Sequence, residues 1–412
     1  MAVNHKPRIA ILHFAAPPII GGVESTMLAH ARLLADHGYP VKILAGRGEQ
    51  SDPRVPVQII PMVDAKHTVT ARVNEELQHG VVPSDFRLLV SSLTHALADA
   101  LQDEDILIAH NVPTLHKNLA LTAALHEFAQ SSPLRLIAWC HDFAWTDPVY
   151  ADELHPGFPW DLLRRVWPGA TYVVVSEARR IELARLLDLD ESKISVVPPG
   201  LDVYAFFGLT EMTLRWERNL NLLEGAPLLL LPARVTRRKN IELAIEITAA
   251  LRELGHAAKL IVMGPLGPHN ATNVDYLNEL CALRHERRVD DSVIFLHEYG
   301  TVSDLERRDL YALADALLFP SEREGFGIPI LEAGLARLPI FCADILPFRE
   351  SAGEHAHYFG LDESPRDITI RMADFFEHDS RYQLKRSVLR DYTWERIFSE
   401  RIEPLLSSLA VS

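Results

Sequence analysis

Cysteine is scarce in this sequence. Cys140, Cys281 and Cys342 are spread over 412 residues, show no C-x-x-C spacing, and each lies among apolar neighbours. That pattern excludes a disulfide framework and a cysteine zinc site, and it implies buried thiols in a reducing compartment. Long apolar runs are also missing, since no stretch approaches the roughly 18–20 residues that a bilayer-spanning helix needs. Positive charge is in deficit: 41 Lys and Arg face 56 Asp and Glu, a net charge of −15. A chain this acidic is a poor general binder of nucleic acid or anionic membrane. Any phosphorylated ligand must therefore meet a local concentration of cations. The first residues, Met1 to Lys6, run straight into a strand-like segment without a signal-peptide pattern, so a cytoplasmic location is expected.

What is present is the material of a soluble α/β protein. Hydrophobic residues make up 48% of the chain and charged residues 24%, and the length suits two cores better than one. Short apolar runs of strand length recur at 8–13, 41–45, 105–109, 134–139 and 171–175, and again at 228–231, 259–263, 293–296, 316–319 and 339–342. Helical patterns separate them. From about Val23 to His37, for example, Met27, Leu28, Ala31, Leu34 and Ala35 fall three and four apart, and Gly38 follows as a helix stop. Nearly continuous apolar strands alternating with helices predict parallel sheets covered on both faces. The pattern breaks at Val197-Pro198-Pro199-Gly200, which predicts domains at 1–198 and 199–390. An amphipathic helix follows within 391–412, from Trp394 to about Leu409.

In an open parallel sheet, ligands bind at the carboxyl ends of strands. In the first half three strands end at or beside a histidine: His13, His110 and His141. A packed histidine explains His13 about as well as a functional one, whereas the position of His141 favours a ligand. Gly21-Gly22, between a strand and a helix, is either a plain turn or a phosphate loop. In the second half the strand 228–231 runs into Arg234, then Arg237-Arg238-Lys239, just before a helix. Cations there oppose the helix dipole, so stability alone does not explain them, whereas a diphosphate would. Residues 321–332 read as a strand end, a loop with Glu324, Gly325 and Gly327, and a helix opening with Pro329 and carrying Glu332. A helix N-terminus supplies free N–H groups, glycines admit a ligand close to the backbone, and the two carboxylates would accept from hydroxyls. No metal cluster stands out. Asp103-Glu104-Asp105 precedes a strand rather than following one. The aromatics Trp145, Tyr150, Phe158, Trp160 and Trp167 would equally stack on a sugar or fill a core.

Residues 320–333 resemble the P-S-x-x-E-G-F-G-x-P-x-x-E-A signature of the retaining nucleotide-sugar glycosyltransferases of family 4. Pro339-Ile340 through Pro347-Phe348-Arg349-Glu350 continues the likeness, which extends more weakly from Gly21-Gly22 to Trp394-Glu395. The resemblance implies a GT-B fold: two doubly wound, Rossmann-like α/β domains facing across a cleft, with an acceptor-binding first domain, a donor-binding second domain, and a C-terminal helix that crosses back. It implies an enzyme moving a hexose from a UDP- or GDP-linked sugar to a hydroxyl acceptor with retention and with no metal or other cofactor. Glu324 would hold sugar hydroxyls, with the backbone of Gly325, Phe326, Gly327 and Ile328 around sugar and phosphate. Glu332 would bind the ribose, Arg234 and Lys239 the diphosphate, and Gly21 and Gly22 would approach donor phosphate and acceptor. The Trp139–Trp145 segment resembles the family's strand-end histidine, so His141 would order the sugar while the leaving phosphate takes the acceptor proton. The sequence departs from the family's G-R-x-x-x-x-K-G element at Ala233 and Asn240, and from its G-x-G-P element at 264–269. The nucleobase is expected near 298–302. A nucleotide sugar and a soluble hydroxyl acceptor are the expected partners, without nucleic acid or membrane. The alternatives are a non-catalytic nucleotide-sugar-binding subunit of a larger transferase, or another GT-B activity such as a phosphorylase or epimerase.

Overall fold

Each apolar run of the sequence forms a strand within a residue or two of its expected bounds, and every strand pairing is parallel. In a computed structural model, which describes residues 6–19, 21–265 and 272–410, the chain divides into two units. One unit comprises Met1–Leu201 with Tyr392–Ser412, and the other comprises Asp202–Asp391.

The first unit holds β1 (Ile9–His13), β2 (Val41–Ala45), β3 (Val57–Ile59), β4 (Ile106–His110), β5 (Arg135–Cys140), β6 (Thr171–Val174) and β7 (Ile194–Val196), in the order β3-β2-β1-β4-β5-β6-β7. The second holds β8 (Leu228–Leu231), β9 (Lys259–Val262), β10 (Val293–Phe295), β11 (Ala316–Phe319), β12 (Ile340–Ala343) and β13 (His357–Phe359), in the order β10-β9-β8-β11-β12-β13. Central strands such as β1, β4, β8 and β11 are buried along their whole length. This is why they read as unbroken apolar runs. Three strands escape that signal. β3, β7 and β13 are three residues long, lie at sheet edges and keep partly exposed positions.

The helix Gly22–Asp36 packs Met27, Ala31 and Leu34 inward, and Gly38 follows at φ +73°. Chain and tail meet where the first unit closes. The Leu201 amide donates to the Tyr392 carbonyl at 2.7 Å, and a Cβ on Gly200 would stand 2.6 Å from the Trp394 ring. Only glycine allows that approach. The tail is two helices, Trp394–Ile397 and Glu403–Ala410, joined by a π-turn. Its Ile397, Phe398, Ile402 and Leu406 share a core with Ile9, Ile11 and Met27. All three cysteines are free, but only Cys140 and Cys342 are buried, and burial pushes their thiols up to about 12. Cys281 is only half-buried, on the helix Thr272–Glu286, next to the fully buried Leu280. Among the described residues no helix is long and apolar enough to cross a membrane.

Candidate functional site

The strand order of the second unit reverses between β8 and β11. At such a point the connections leave toward opposite sides and open a crevice at the strand ends. The loop after β8 carries Arg234, the turn Arg237–Lys239 and the helix Ile241–Glu253. The loop after β11 carries Ser321 to Gly327 and the helix Ile328–Leu335. The two motifs of the sequence therefore flank one crevice. They are also tied together. The Glu322 amide donates to the Arg238 carbonyl at 2.9 Å. The Arg238 guanidinium reaches the Arg323 carbonyl and the Glu324 carboxylate, each at 3.1 Å. Lys239 donates its ammonium to the other oxygen of Glu324.

Asn240 sits between that turn and its helix at φ +47°. It occupies one of the two positions where the glycine-bearing element is broken. Its conformation is left-handed, which glycine adopts freely and which asparagine tolerates best among the other residues. Burial lowers the Lys239 ammonium pKa, and the Glu324 carboxylate only partly restores it. Arg237 turns elsewhere, to Glu279 at 2.5 Å and over the Tyr276 ring. Arg234 is exposed and has no ion-pair partner among the described residues. The hydroxyls of Thr236 and Ser321, on the same two loops, are buried and unpartnered among the described residues.

Gly327 has φ +97°, and a Cβ there would press on Phe348 at 3.0 Å, so chain geometry alone demands this glycine. Gly325 differs. Its φ lies outside the left-handed region and its Cβ position is open. Phe326 and Ile328 beside it are exposed. Glu332 is held by the Tyr311 hydroxyl at 2.7 Å and Arg307 at 3.5 Å, two partners with no signal in the sequence. Burial first, then Glu332, raises the Tyr311 pKa.

In the first unit the order reverses between β1 and β4, and the strand-end histidines gather there. The His13 Nδ1–H donates to the His110 carbonyl at 3.0 Å. His110 Nδ1 lies 2.9 Å from His141 Nε2. Asn111, at φ +60°, accepts on its side-chain oxygen from the backbone amides of His141 at 2.7 Å and Asp142 at 3.2 Å. Burial lowers the pKa of all three histidines, His141 to about 4. Sequence reasoning missed His30, a buried histidine from the helix Gly22–Asp36 that joins these three. Its helical spacing looks like any core position. Gly21 and Gly22 lie beside Glu24, which faces His13 Nε2 at 3.8 Å. A Cβ on Gly21 would meet the Glu24 carboxylate, whereas one on Gly22 would meet nothing.

Other candidates resolve as structure. Glu104 pairs with Lys42 at 2.9 Å and Asp105 accepts from the Arg8 amide at 2.8 Å, so the Asp103–Asp105 run braces the sheet. Trp145, Trp160 and Trp167 are packed into the core of the first unit. Phe158 is exposed under the Arg87 guanidinium. Tyr150 lines a cleft of about 390 Å³ with Trp160, His116 and Glu153. In the 298–302 segment Tyr299 accepts from the Trp216 indole at 3.1 Å. Residues 266–269 of the departing glycine element lie outside the described residues.

Comparison with known proteins decides the family. Residues 213–387 match Glycosyl transferases group 1, and residues 20–204 match Glycosyltransferase Family 4. The chain belongs to the group 1 glycosyltransferases. The two doubly wound parallel units that the GT-B expectation calls for are both present. Among curated relatives of this glycosyltransferase, the mannosylglucosylglycerate synthase of Petrotoga mobilis is 26% identical over 266 residues, 58% of this chain and 59% of the relative. The Thermotoga maritima protein of the same name is 26% identical over 377 residues, covering 82% and 83%. The serotype-specific mannosyltransferase WbdA of Escherichia coli is 34% identical over 179 residues, 43% of this chain. The chain thus spans about three fifths of the Petrotoga relative and one fifth of WbdA.

Proposed function

We propose that this glycosyltransferase moves a hexosyl group from a nucleoside diphosphate sugar to a hydroxyl of a small soluble acceptor, with retention at the anomeric carbon and without a metal. The observation that carries this reading is the crevice of the second unit. There Arg234 stands without an ion-pair partner among the described residues, Glu324 is fixed between Arg238 and Lys239, and a helix N-terminus opens at Ile328. Fixed cations and N–H dipoles stabilise the charge that grows on a departing diphosphate more than they stabilise the ground state. On this reading Arg234 and Lys239 neutralise the diphosphate, Glu324 accepts from sugar hydroxyls, Gly325 to Ile328 lie against sugar and phosphate, and Glu332 accepts from the ribose. Gly21 and Gly22 would approach donor phosphate and acceptor, with open space only at Gly22, and His141 would hydrogen-bond the reacting groups. The leaving phosphate takes the acceptor proton.

Three curated relatives carry a mannosyl group in their names, so the donor trial starts with mannose. Purified chain is incubated with UDP- and GDP-linked hexoses, with glycerate and glucosylglycerate among the acceptors, and nucleoside diphosphate release is followed. Acceptor-dependent release from one donor supports the reading. Binding of a nucleotide sugar without turnover on any acceptor would favour a non-catalytic subunit instead.

A further inference from the structure

His110 and His141 share one hydrogen bond, at 2.9 Å between Nδ1 and Nε2, so one of these nitrogens carries a proton and the other a lone pair. The surroundings of His110 decide which. Its ring is fully buried, and its Nε2 has no partner among the described residues. Trp139 stacks on it with ring centroids 5.5 Å apart, and His30 lies 5.6 Å away. The Trp139 indole N–H is buried without an acceptor, and an indole nitrogen can only donate. Both His30 nitrogens are buried without partners, and one of them must carry a proton. Two donors without acceptors therefore already crowd this pocket. A proton on His110 Nε2 would make a third orphaned N–H, which buried sites tolerate less readily than an unpaired acceptor. A lone pair there adds no further orphaned donor.

The His110 proton then sits on Nδ1 and is donated to His141 Nε2. We propose that His110 is a positioning residue that locks His141 in its Nδ1–H tautomer, so that His141 meets a ligand only as a neutral hydrogen-bond donor. The His141 backbone is held as well, because its amide donates to the Asn111 side chain at 2.7 Å. His141 Nδ1 has no partner among the described residues. Burial and the neighbouring His13 oppose protonation of His141, while Asp142 favours it, and the balance leaves its pKa at about 4. An imidazole in this state can donate to a sugar or acceptor oxygen. It cannot take a proton at Nδ1, so it is not the general base at that nitrogen. The ligand named here rests on the proposed function, whereas the tautomer does not.

The test is long-range ¹H–¹⁵N correlation spectroscopy of ligand-free, ¹⁵N-histidine-labelled chain at pH 7, with the His141 signals assigned by their loss in His141→Gln. The expected result is a His141 ring protonated at Nδ1. His110→Asn, whose amide nitrogen falls near the position of Nδ1, should keep that pattern. His110→Phe should release His141 toward the Nε2–H form that free imidazole prefers. With a donor identified, kcat should fall about tenfold in His110→Phe and recover in His110→Asn, the size of one lost hydrogen bond. An Nε2–H His141 in the unsubstituted chain, or an unchanged Nδ1–H pattern in His110→Phe, would overturn the proposal. The spectrum of the unsubstituted chain decides even if His110→Phe folds poorly. Failure of every nucleotide sugar to turn over would count against the proposed function alone.

Discussion

Lys239 donates to Glu324 with both side chains about nine-tenths out of solvent, at 10% and 11% exposure. The pair is not symmetrical. Without Lys239, Glu324 keeps Arg238 at 3.1 Å. Without Glu324, the Lys239 ammonium is left buried with no carboxylate. Stranding one member of a buried pair costs about 3–5 kcal/mol, whereas a hydrogen bond to a charged group is worth about 1.5–3 kcal/mol. Glu324→Ala should therefore lower the unfolding free energy of the second unit more than Lys239→Ala. Urea titration of the two variants checks this. Equal losses would mean that the pair is open to water.

The geometry separates Gly325 from Gly327. Alanine at 325 meets no atom and no left-handed φ, so Gly325→Ala should hold or raise the melting temperature, in line with the roughly 0.4–1 kcal/mol gained at compatible sites. If a sugar or phosphate lies against this backbone, kcat/KM should still fall at least about tenfold. Gly327→Ala should lower both. Thermal melts paired with donor kinetics read the two quantities. A fully active Gly325→Ala would remove the ligand from this loop.

Glu324 and Glu332 should fail in different ways. Glu332, held by Tyr311 and Arg307, is assigned to the ribose, remote from the bond that breaks. Glu332→Ala should mainly raise KM, and Tyr311→Phe should do so more weakly. Glu324→Ala should mainly lower kcat. Each loss should be about tenfold to a hundredfold, the worth of one charge-assisted hydrogen bond. Identical kinetic signatures would mean that at least one assignment is wrong.

The histidine cluster predicts acid lability of the first unit. Burial depresses His30 to about 3, His141 to about 4, and His13 and His110 in the same direction. Below the ordinary value of 6.5 the unfolded chain binds these protons and the folded chain does not. Stability is then complete above about pH 6.5 and declines as pH falls toward 4, by about 1.4 kcal/mol per pH unit for each such histidine. His30→Phe should make the decline shallower by about one proton. Urea midpoints from pH 7 to pH 4.5 measure it, and an unchanged slope would contradict the burial argument.

Much of this was legible in the chain. β1, β4, β8 and β11 announce themselves because central parallel strands are apolar on both faces, and Arg234, Lys239, Glu324 and Glu332 follow from reading what comes after a strand. What stayed hidden depends on contacts between distant segments. Nothing in the sequence says that Lys239 and Glu324, read as serving different parts of a ligand, touch each other. Tyr311 and Arg307 look like ordinary helix residues until Glu332 is placed beside them. Gly325 and Gly327 look alike in sequence, and only the backbone angle and Phe348 set them apart. Asn240 looks like a broken motif and turns out to take a left-handed backbone that glycine would also accept.

The most direct test of the account is kcat/KM of Arg234→Ala, assayed in excess EDTA alongside the unsubstituted chain. Arg234 is exposed and makes no ion pair among the described residues, so the melting temperature should stay within a degree or so, as for an ordinary surface change. If Arg234 meets the diphosphate as charge develops, kcat/KM should fall by about a hundredfold or more, while the unsubstituted chain stays active without metal. Near-normal turnover in Arg234→Ala, or activity that EDTA abolishes and Mg²⁺ restores, would contradict the diphosphate site and the mechanism built on it.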